Sequence, residues 1–232
     1  MNRPIMTRKI LMELTWVEGS NSWFRIRAGG KIIHIDPSYS PKGHAPGPEL
    51  NDKADLVLVT HAHGDHFQKG TVSALAGDST IIIAPSKVAG RSGQLRNVVV
   101  TEPGKEHDLG WVKLKAVYAY NLGLKGHIFH KKGKCVGYLL TIEGRTIYHA
   151  GDTDLIPEMR QLGHVDLALL PIGGTFTMDV EAAAEAARAI GAPIVVPMHN
   201  LRTPIAELKA RLAEAPSIQV MLAEHGSPFE PF

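Results

Sequence analysis

Short β-like runs of mostly apolar residues broken by polar ones dominate the first part of the chain. These are Leu11–Val17, Trp23–Arg27 and Lys31–Asp36, and Gly19-Ser20-Asn21 and Ala28-Gly29-Gly30 separate them with turn-forming residues. A β-meander is predicted. Pro37–Pro48 is rich in Pro and Gly and reads as a loop. Asp55–Thr60, Thr80–Ala84 and Asn97–Thr101 are short strand-like runs, with helices predicted at Gln68–Ala76 and near Ser86–Gly90. Trp111–Tyr118 alternates like a strand, and Cys135–Glu143 with Arg145–His149 forms a hairpin around Glu143-Gly144. Val165–Leu170, Ile194–Met198 and Ile218–Ala223 are later strands; Asp179–Ile190 and Pro204–Ala213 are helices. In the Ala-rich helix, Glu181 near the start and Arg188 near the end suit the macrodipole, with Thr177 as the expected N-cap and Gly191 as the stop.

The order is meander, β-α units, hairpin, then β-α units again. That order favours an α+β arrangement of two mixed sheets packed face to face, with helices outside. A single doubly wound sheet fits less well, because the early connections have hairpin length and hold no crossover helix. With 232 residues and 44% hydrophobic content, one domain with a sizeable core is expected. A formal net charge of +2 lacks the basic excess of a dedicated nucleic-acid binder, so the expected partner is a small-molecule substrate. Composition sets no oligomeric state. Cys135 is the only cysteine, which excludes an internal disulfide and suggests a reducing, cytoplasmic location. Ile10–Leu14, broken by Glu13, is too short for a signal peptide or a membrane span.

One heptapeptide changes this picture. Thr60-His61-Ala62-His63-Gly64-Asp65-His66 follows directly on an apolar strand. Ionisable groups crowded at one strand end must desolvate and repel one another unless a cation offsets them. Alternate residues of an extended segment face the same way, so His61 and His63 can converge on one ion. A turn at Gly64 lets Asp65 and His66 face a second. Nitrogen and carboxylate donors without thiolate suit Zn2+, and also Mn2+, Fe2+ or Ni2+. Two further strand ends offer donors. In Tyr148-His149-Ala150-Gly151-Asp152-Thr153, Gly151 allows close backbone approach and Asp152 can bridge two ions; Pro197-Met198-His199-Asn200 ends in an imidazole.

Thr60–His66, Ala150–Thr153 and Met198–Asn200, in this order, resemble the motifs of the metallo-β-lactamase superfamily. Val136-Gly137-Tyr138, Tyr148–Asp154, Leu169–Met178 and Pro197–Asn200 are similar to its small metal-dependent hydrolase branch, which includes ascorbate-6-phosphate lactonase and N-acylphosphatidylethanolamine phospholipase D. The resemblance runs from about Leu11 to Pro228. It implies an αββα sandwich with a dinuclear site between the sheets. It further implies His61 and His63 on the first metal, Asp65, His66 and His199 on the second, and Asp152 bridging. The superfamily usually adds a third histidine to the first metal, from a loop after a mid-chain strand. Here that stretch is Val117-Tyr118-Ala119-Tyr120-Asn121, without a histidine. Asn121 offers an amide oxygen, and His127 or His130 lies in the Gly/Lys-rich loop that follows; otherwise the position is open to water or substrate.

Two cations sharing a water would lower its pKa and yield a metal-bound hydroxide that cleaves a small ester, lactone or phosphoester. Asp65 would orient that nucleophile and take its proton. The alternatives are a phosphodiesterase or nuclease, and a metal-binding protein without turnover. Asp36 is read as an Asx-type turn or as outer support for the His loop. Thr175 and Thr177 are read as helix-entry residues or pocket lining. Lys131, Lys132 and Lys134 are read as a solvated loop that could attract an anion, and His225 as a distant candidate for the pocket. Cys135 lies inside a strand-like run and is an improbable nucleophile.

Overall fold

The β-like runs at the start become a hairpin ladder. A computed structural model describes residues 12–39 and 47–232, and of residue 127 the backbone alone. The predicted loop over 37–48 therefore lies partly outside the described residues. Strands β1 (Met12–Trp16), β2 (Phe24–Ala28) and β3 (Lys31–Ile35) pair antiparallel, with Trp16 opposite Phe24 and Ala28 opposite Lys31. Gly29 and Gly30, both with positive φ, make the tight turn between β2 and β3. Strands β4 (Ala54–Leu58), β5 (Ala76–Pro85) and β6 (Val98–Thr101) then add in parallel to β3. Helices α1 (Lys69–Leu75) and α2 (Ser86–Ser92) make the crossovers that parallel pairing requires.

The second sheet repeats this plan. Strands β7 (Glu106–Asp108), β8 (Lys113–Ala119), β9 (Cys135–Ile142) and β10 (Arg145–His149) are antiparallel; β11 (Leu167–Pro171), β12 (Ile194–Met198) and β13 (Gln219–Val220) continue in parallel. Glu143 and Gly144, at φ 50 and 76, turn the β9–β10 hairpin where the sequence predicts it. Helix α3 (Gly123–Ile128) interrupts the β8–β9 connection, and α4 (Val180–Ile190) and α5 (Ala206–Arg211) cover the parallel half. Strand β14 (Pro228–Phe229) returns to pair with β1. The two seven-stranded sheets run β14-β1-β2-β3-β4-β5-β6 and β13-β12-β11-β10-β9-β8-β7. This is the metallo-β-lactamase-like sandwich of two mixed sheets.

Leu14, Phe24 and Ile26 of the first sheet share one buried cluster with Tyr138, Leu140 and Leu170 of the second. A separate cluster under α1 and α2, with Val57, Val72 and Val88, covers the outer face of the first sheet. Tyr138 ties the sheets together: its hydroxyl lies 2.9 Å from the Val59 carbonyl and 3.1 Å from that of Ile83. Ala183, Ala184, Ala186 and Ala187 are fully buried, so their small side chains let α4 lie close to the sheet. The cap of α4 differs from expectation. Asp179, whose Oδ1 accepts the Ala182 N–H at 2.9 Å, takes the role expected of Thr177, because the helix begins at Val180. Strands β7 and β14 and helix α3 are not predicted from the sequence. They are short, and β7 is the wholly polar Glu-His-Asp, which leaves no apolar period to read. No helix among the described residues is long and apolar enough to cross a membrane.

Candidate metal centre

Parallel strands end on the same edge of their sheet, so whatever follows β3, β4, β10 and β12 is brought together by topology. Asp36 follows β3, the His61–His66 loop follows β4, Asp152 follows β10, and His199 follows β12. Asp36 and His199 hold left-handed backbone at φ 53 and 43, a conformation that L-residues rarely adopt. Gly151 lies at φ 63, and a Cβ there would stand 3.0 Å from the Val136 carbonyl and 3.1 Å from the Thr60 side chain. Glycine is thus required where β10 passes under the His loop.

Hydrogen bonds behind the rings decide which nitrogens face inward. The Asp36 carboxylate accepts the Thr60 N–H at 2.7 Å and the Thr60 hydroxyl at 2.6 Å, and its Oδ2 lies 2.7 Å from His66 Nδ1. A carboxylate only accepts, so His66 Nδ1 carries the hydrogen and Nε2 is bare on the neutral ring. The Thr60 hydroxyl hydrogen is committed to Asp36, so His61 Nδ1, 3.0 Å away, is the donor of that pair and its Nε2 is bare as well. Asp36 therefore orients two rings, one directly and one through Thr60.

Three groups of donor atoms result, each within 4.8 Å: His61, His63 and His130; His61, His66 and Asp152; Asp65, His66 and His199. Asp152 lies between the others. Its Oδ1 is 3.3 Å from His66 Nε2, and its Oδ2 is 3.3 Å from His130 Nε2 and 3.4 Å from His199 Nε2. His199 Nε2 is also 3.4 Å from Asp65 Oδ2. The inward atoms His61 Nε2, His66 Nε2, Asp152 Oδ1 and His199 Nε2 are buried and make no hydrogen bond. Native interiors rarely tolerate such orphans. Bare imidazole nitrogens and carboxylate oxygens facing one another are the donor chemistry of a divalent cation site, so the residues present fit one.

Titration follows from the same crowding. Burial and the neighbouring His66 push His61 well below its ordinary pKa. Burial also disfavours a charge on His66, yet the Asp152 and Asp36 carboxylates outweigh it and hold that ring well above the ordinary range. Asp152 stays ionised despite full burial, because His199 and His66 lower its pKa. Burial likewise opposes ionisation of Asp65, and the neighbouring His199 and His66 rings more than offset it. Burial pushes His130 down to about 4 against the pull of Asp152. Burial lifts the Cys135 thiol to about 12, so it is no nucleophile.

Of the loop candidates, His130 lies at the cluster. His130 is buried, and its Nε2 lies 3.2 Å from His63 Nδ1. The Asn121 oxygen, one of the alternatives for that place, faces His130 Nδ1 at 2.7 Å. The His127 side chain lies outside the described residues. Lys132 pairs with Glu158 at 2.7 Å and lies over the Tyr118 and Tyr120 rings, which commits it away from a free anion site. His225 stacks on Trp16, 3.9 Å between ring centroids, rather than entering the cluster. Thr177 is buried with its hydroxyl on the Met178 carbonyl, whereas Thr175 is exposed.

Sequence reasoning missed Asn21, whose amide nitrogen donates to Asp65 Oδ2 at 2.9 Å and whose carbonyl accepts the His199 N–H at 2.9 Å. It missed His149, which lies 3.0 Å from the Ser22 carbonyl and takes the Gly151 N–H at 3.2 Å. It also missed Asp154 behind Asn121. Of these, only His149 and Asp154 carried a signal, by flanking Gly151-Asp152. The Phe129 and Phe176 rings meet at 4.9 Å, and Leu124 and Ile128 of α3 are exposed.

The beta-lactamase superfamily domain matches residues 13–199. A UPF0173 metal-dependent hydrolase of Geobacillus sp. is 39% identical over 195 residues, covering 80% of this chain and 84% of that protein. Another, from Methanoculleus marisnigri, is 34% identical and covers 94% of this chain and 96% of the relative. Among solved structures, one from Parabacteroides distasonis superposes with a TM-score of 0.84 at 31% identity, covering 93% of this chain and 94% of that one. A metallo hydrolase from Ignicoccus hospitalis superposes with a TM-score of 0.77 at 28% identity over 94% and 98% of the two chains.

Proposed function

We propose, for a chain that belongs to the UPF0173 metal-dependent hydrolases of the metallo-β-lactamase superfamily, that the cluster is a dinuclear hydrolytic centre acting on a small ester, lactone or phosphoester. His61, His63 and His130 would hold one ion, and Asp65, His66 and His199 the other, with Asp152 between them. Zn2+ suits this thiolate-free set of imidazoles and carboxylates, as do Mn2+, Fe2+ and Ni2+. The cations would supply Lewis acidity, making a solvent molecule easier to ionise and offsetting charge on an oxyanion.

The chain's own residues do the rest. The Asp65 side chain is only partly buried, so its carboxylate can orient an attacking water and accept its proton. Asn21 fixes its heading from behind. Asp36 engages Nδ1 of His66 directly and of His61 through Thr60, so Nε2 of both rings faces inward and neither must change tautomer before it can bind.

The observation that carries this reading is the convergence of buried, hydrogen-bond-free donor atoms from separate strand ends. The test is ion content after loading, together with turnover of generic esters, lactones and bis-phosphodiesters. Two ions per chain and hydrolysis of an ester or lactone are expected. Cleavage of phosphodiesters alone would make it a phosphodiesterase, and ion binding with no turnover a binding protein. Asp65→Asn should abolish turnover and leave the far-UV spectrum unchanged; full activity in that variant refutes the role.

A further inference from the structure

We propose that Asn121 is a positioning residue that turns a loop histidine, His130, into a rigid donor in place of a strand-end histidine. The inference rests on the dinuclear reading and adds how its third imidazole is held. Strand β8 ends at Ala119, and the chain returns only at His130, whose carbonyl accepts the Asn121 N–H at 3.0 Å. A ring at the end of such a loop would ordinarily be free to rotate. Here it is buried, with Nδ1 2.7 Å from Asn121 Oδ1.

Which end of the amide faces the ring follows from what stands behind it. Asn121 Nδ2 lies 2.8 Å from the Phe176 carbonyl and 3.1 Å from Asp154 Oδ1. Both partners only accept, so the amide nitrogen must face them and the oxygen must face the ring. An amide oxygen is no donor; His130 Nδ1 therefore carries the hydrogen. Its Nε2, bare on the neutral ring, points at His63 and Asp152. Asp154 is itself anchored, its other oxygen taking the Leu122 N–H at 2.8 Å and its own N–H donating to the Tyr120 carbonyl at 3.0 Å. The direction of the ring is thus set by a run of fixed acceptors that begins at a main-chain carbonyl. Aspartate cannot replace Asn121 in this role, since it would set a third acceptor against Asp154 and Phe176.

The test uses the full chain and titration with Co2+, reading ion stoichiometry and the visible spectrum of the bound ion. Wild type should bind two ions. His130→Ala should weaken one of them. Asn121→Ala should weaken that same ion by about 10–100-fold, change its spectrum and leave the other intact. The double variant should bind no more weakly than His130→Ala alone. Asn121→Asp should resemble Asn121→Ala. Wild-type affinity for both ions in Asn121→Ala, or additive losses in the double variant, would overturn the proposal. Wild-type binding in His130→Ala would instead overturn the ligand assignment beneath it. Where Asn121→Ala fails to fold, nitrogen-15 NMR of ion-free wild type decides: a hydrogen on His130 Nδ1 is expected, and one on Nε2 alone refutes it.

Discussion

The loop after β4 and the loop between β8 and β9 deliver imidazoles to the same cluster by different routes. In the first, His61, His63 and His66 lie within one heptapeptide, and a residue on the neighbouring strand end, Asp36, holds two of the rings. In the second, His130 arrives on a long, partly apolar segment, and its holder, Asn121, sits at the opposite end of the same loop. The first loop is placed by parallel strand pairing, which aligns its end with that of β3 and so with Asp36. The second has no such alignment and is braced from within by Asn121. A donor can therefore be carried to its place by topology or by the two ends of one loop.

Variants at the shared residue should separate the loops from their common partner with the largest effect. Asp152→Ala removes a carboxylate within 3.9 Å of His61, His66, His130 and His199 at once. Binding of both ions should weaken beyond the ~100-fold typical of losing an outer partner, and calorimetric titration would show it. Unchanged binding of either ion would mean that the two loops do not meet at Asp152.

Asp36→Ala tests the first loop against the second. It should disturb both ions, because His61 is grouped with His63 and His130 and His66 with Asp65 and His199, whereas Asn121→Ala should disturb one. It should also lower unfolding stability by about 1–3 kcal/mol, since Thr60 is left with an unpaired buried hydroxyl and N–H. Gly151→Ala should cost a similar ~1–3 kcal/mol through positive φ and close contact with Val136 and Thr60, the place where β10 underlies the early loop. A thermal midpoint equal to wild type would contradict that packing.

At neutral pH the smallest effect concerns the base of the first loop. His34, buried in β3, accepts from Trp23 Nε1 at 2.8 Å, and burial pushes its pKa down to about 3, with Arg25 and Arg27 adding to it. Above its ordinary value of 6.5 both folded and unfolded chains hold a neutral ring. Below it the unfolded chain takes up a proton that the folded ring refuses, so stability falls with acid by about 1.4 kcal/mol per pH unit from this group. His34→Gln keeps an acceptor for Trp23 and should flatten that slope in urea unfolding. An identical acid slope in wild type and variant would remove His34 from the account.

The same contrast explains what was legible in the sequence. The strand runs, the β9–β10 turn and the His61–His66, Asp152 and His199 motifs are local, and local chemistry can be read from neighbouring letters. His130 was one of several loop candidates, because nothing in its own neighbours distinguishes it from His127. What selects it lies in Asn121, Asp154 and the Phe176 carbonyl, which are joined only by folding. The cap of α4 was displaced by two residues because Thr177 and Asp179 are both good caps, and the start of the helix at Val180 decides between them. Asn21 escaped notice inside a turn whose composition already accounted for it.

Asp36 and His199 keep their left-handed backbone although neither is glycine, at a cost on the order of 1 kcal/mol each. Heat tolerance and chemistry therefore pull these positions in opposite directions. A library selected for survival at high temperature alone should drift toward glycine or asparagine at 199, while one selected for turnover should keep the histidine and tolerate a lower melting point.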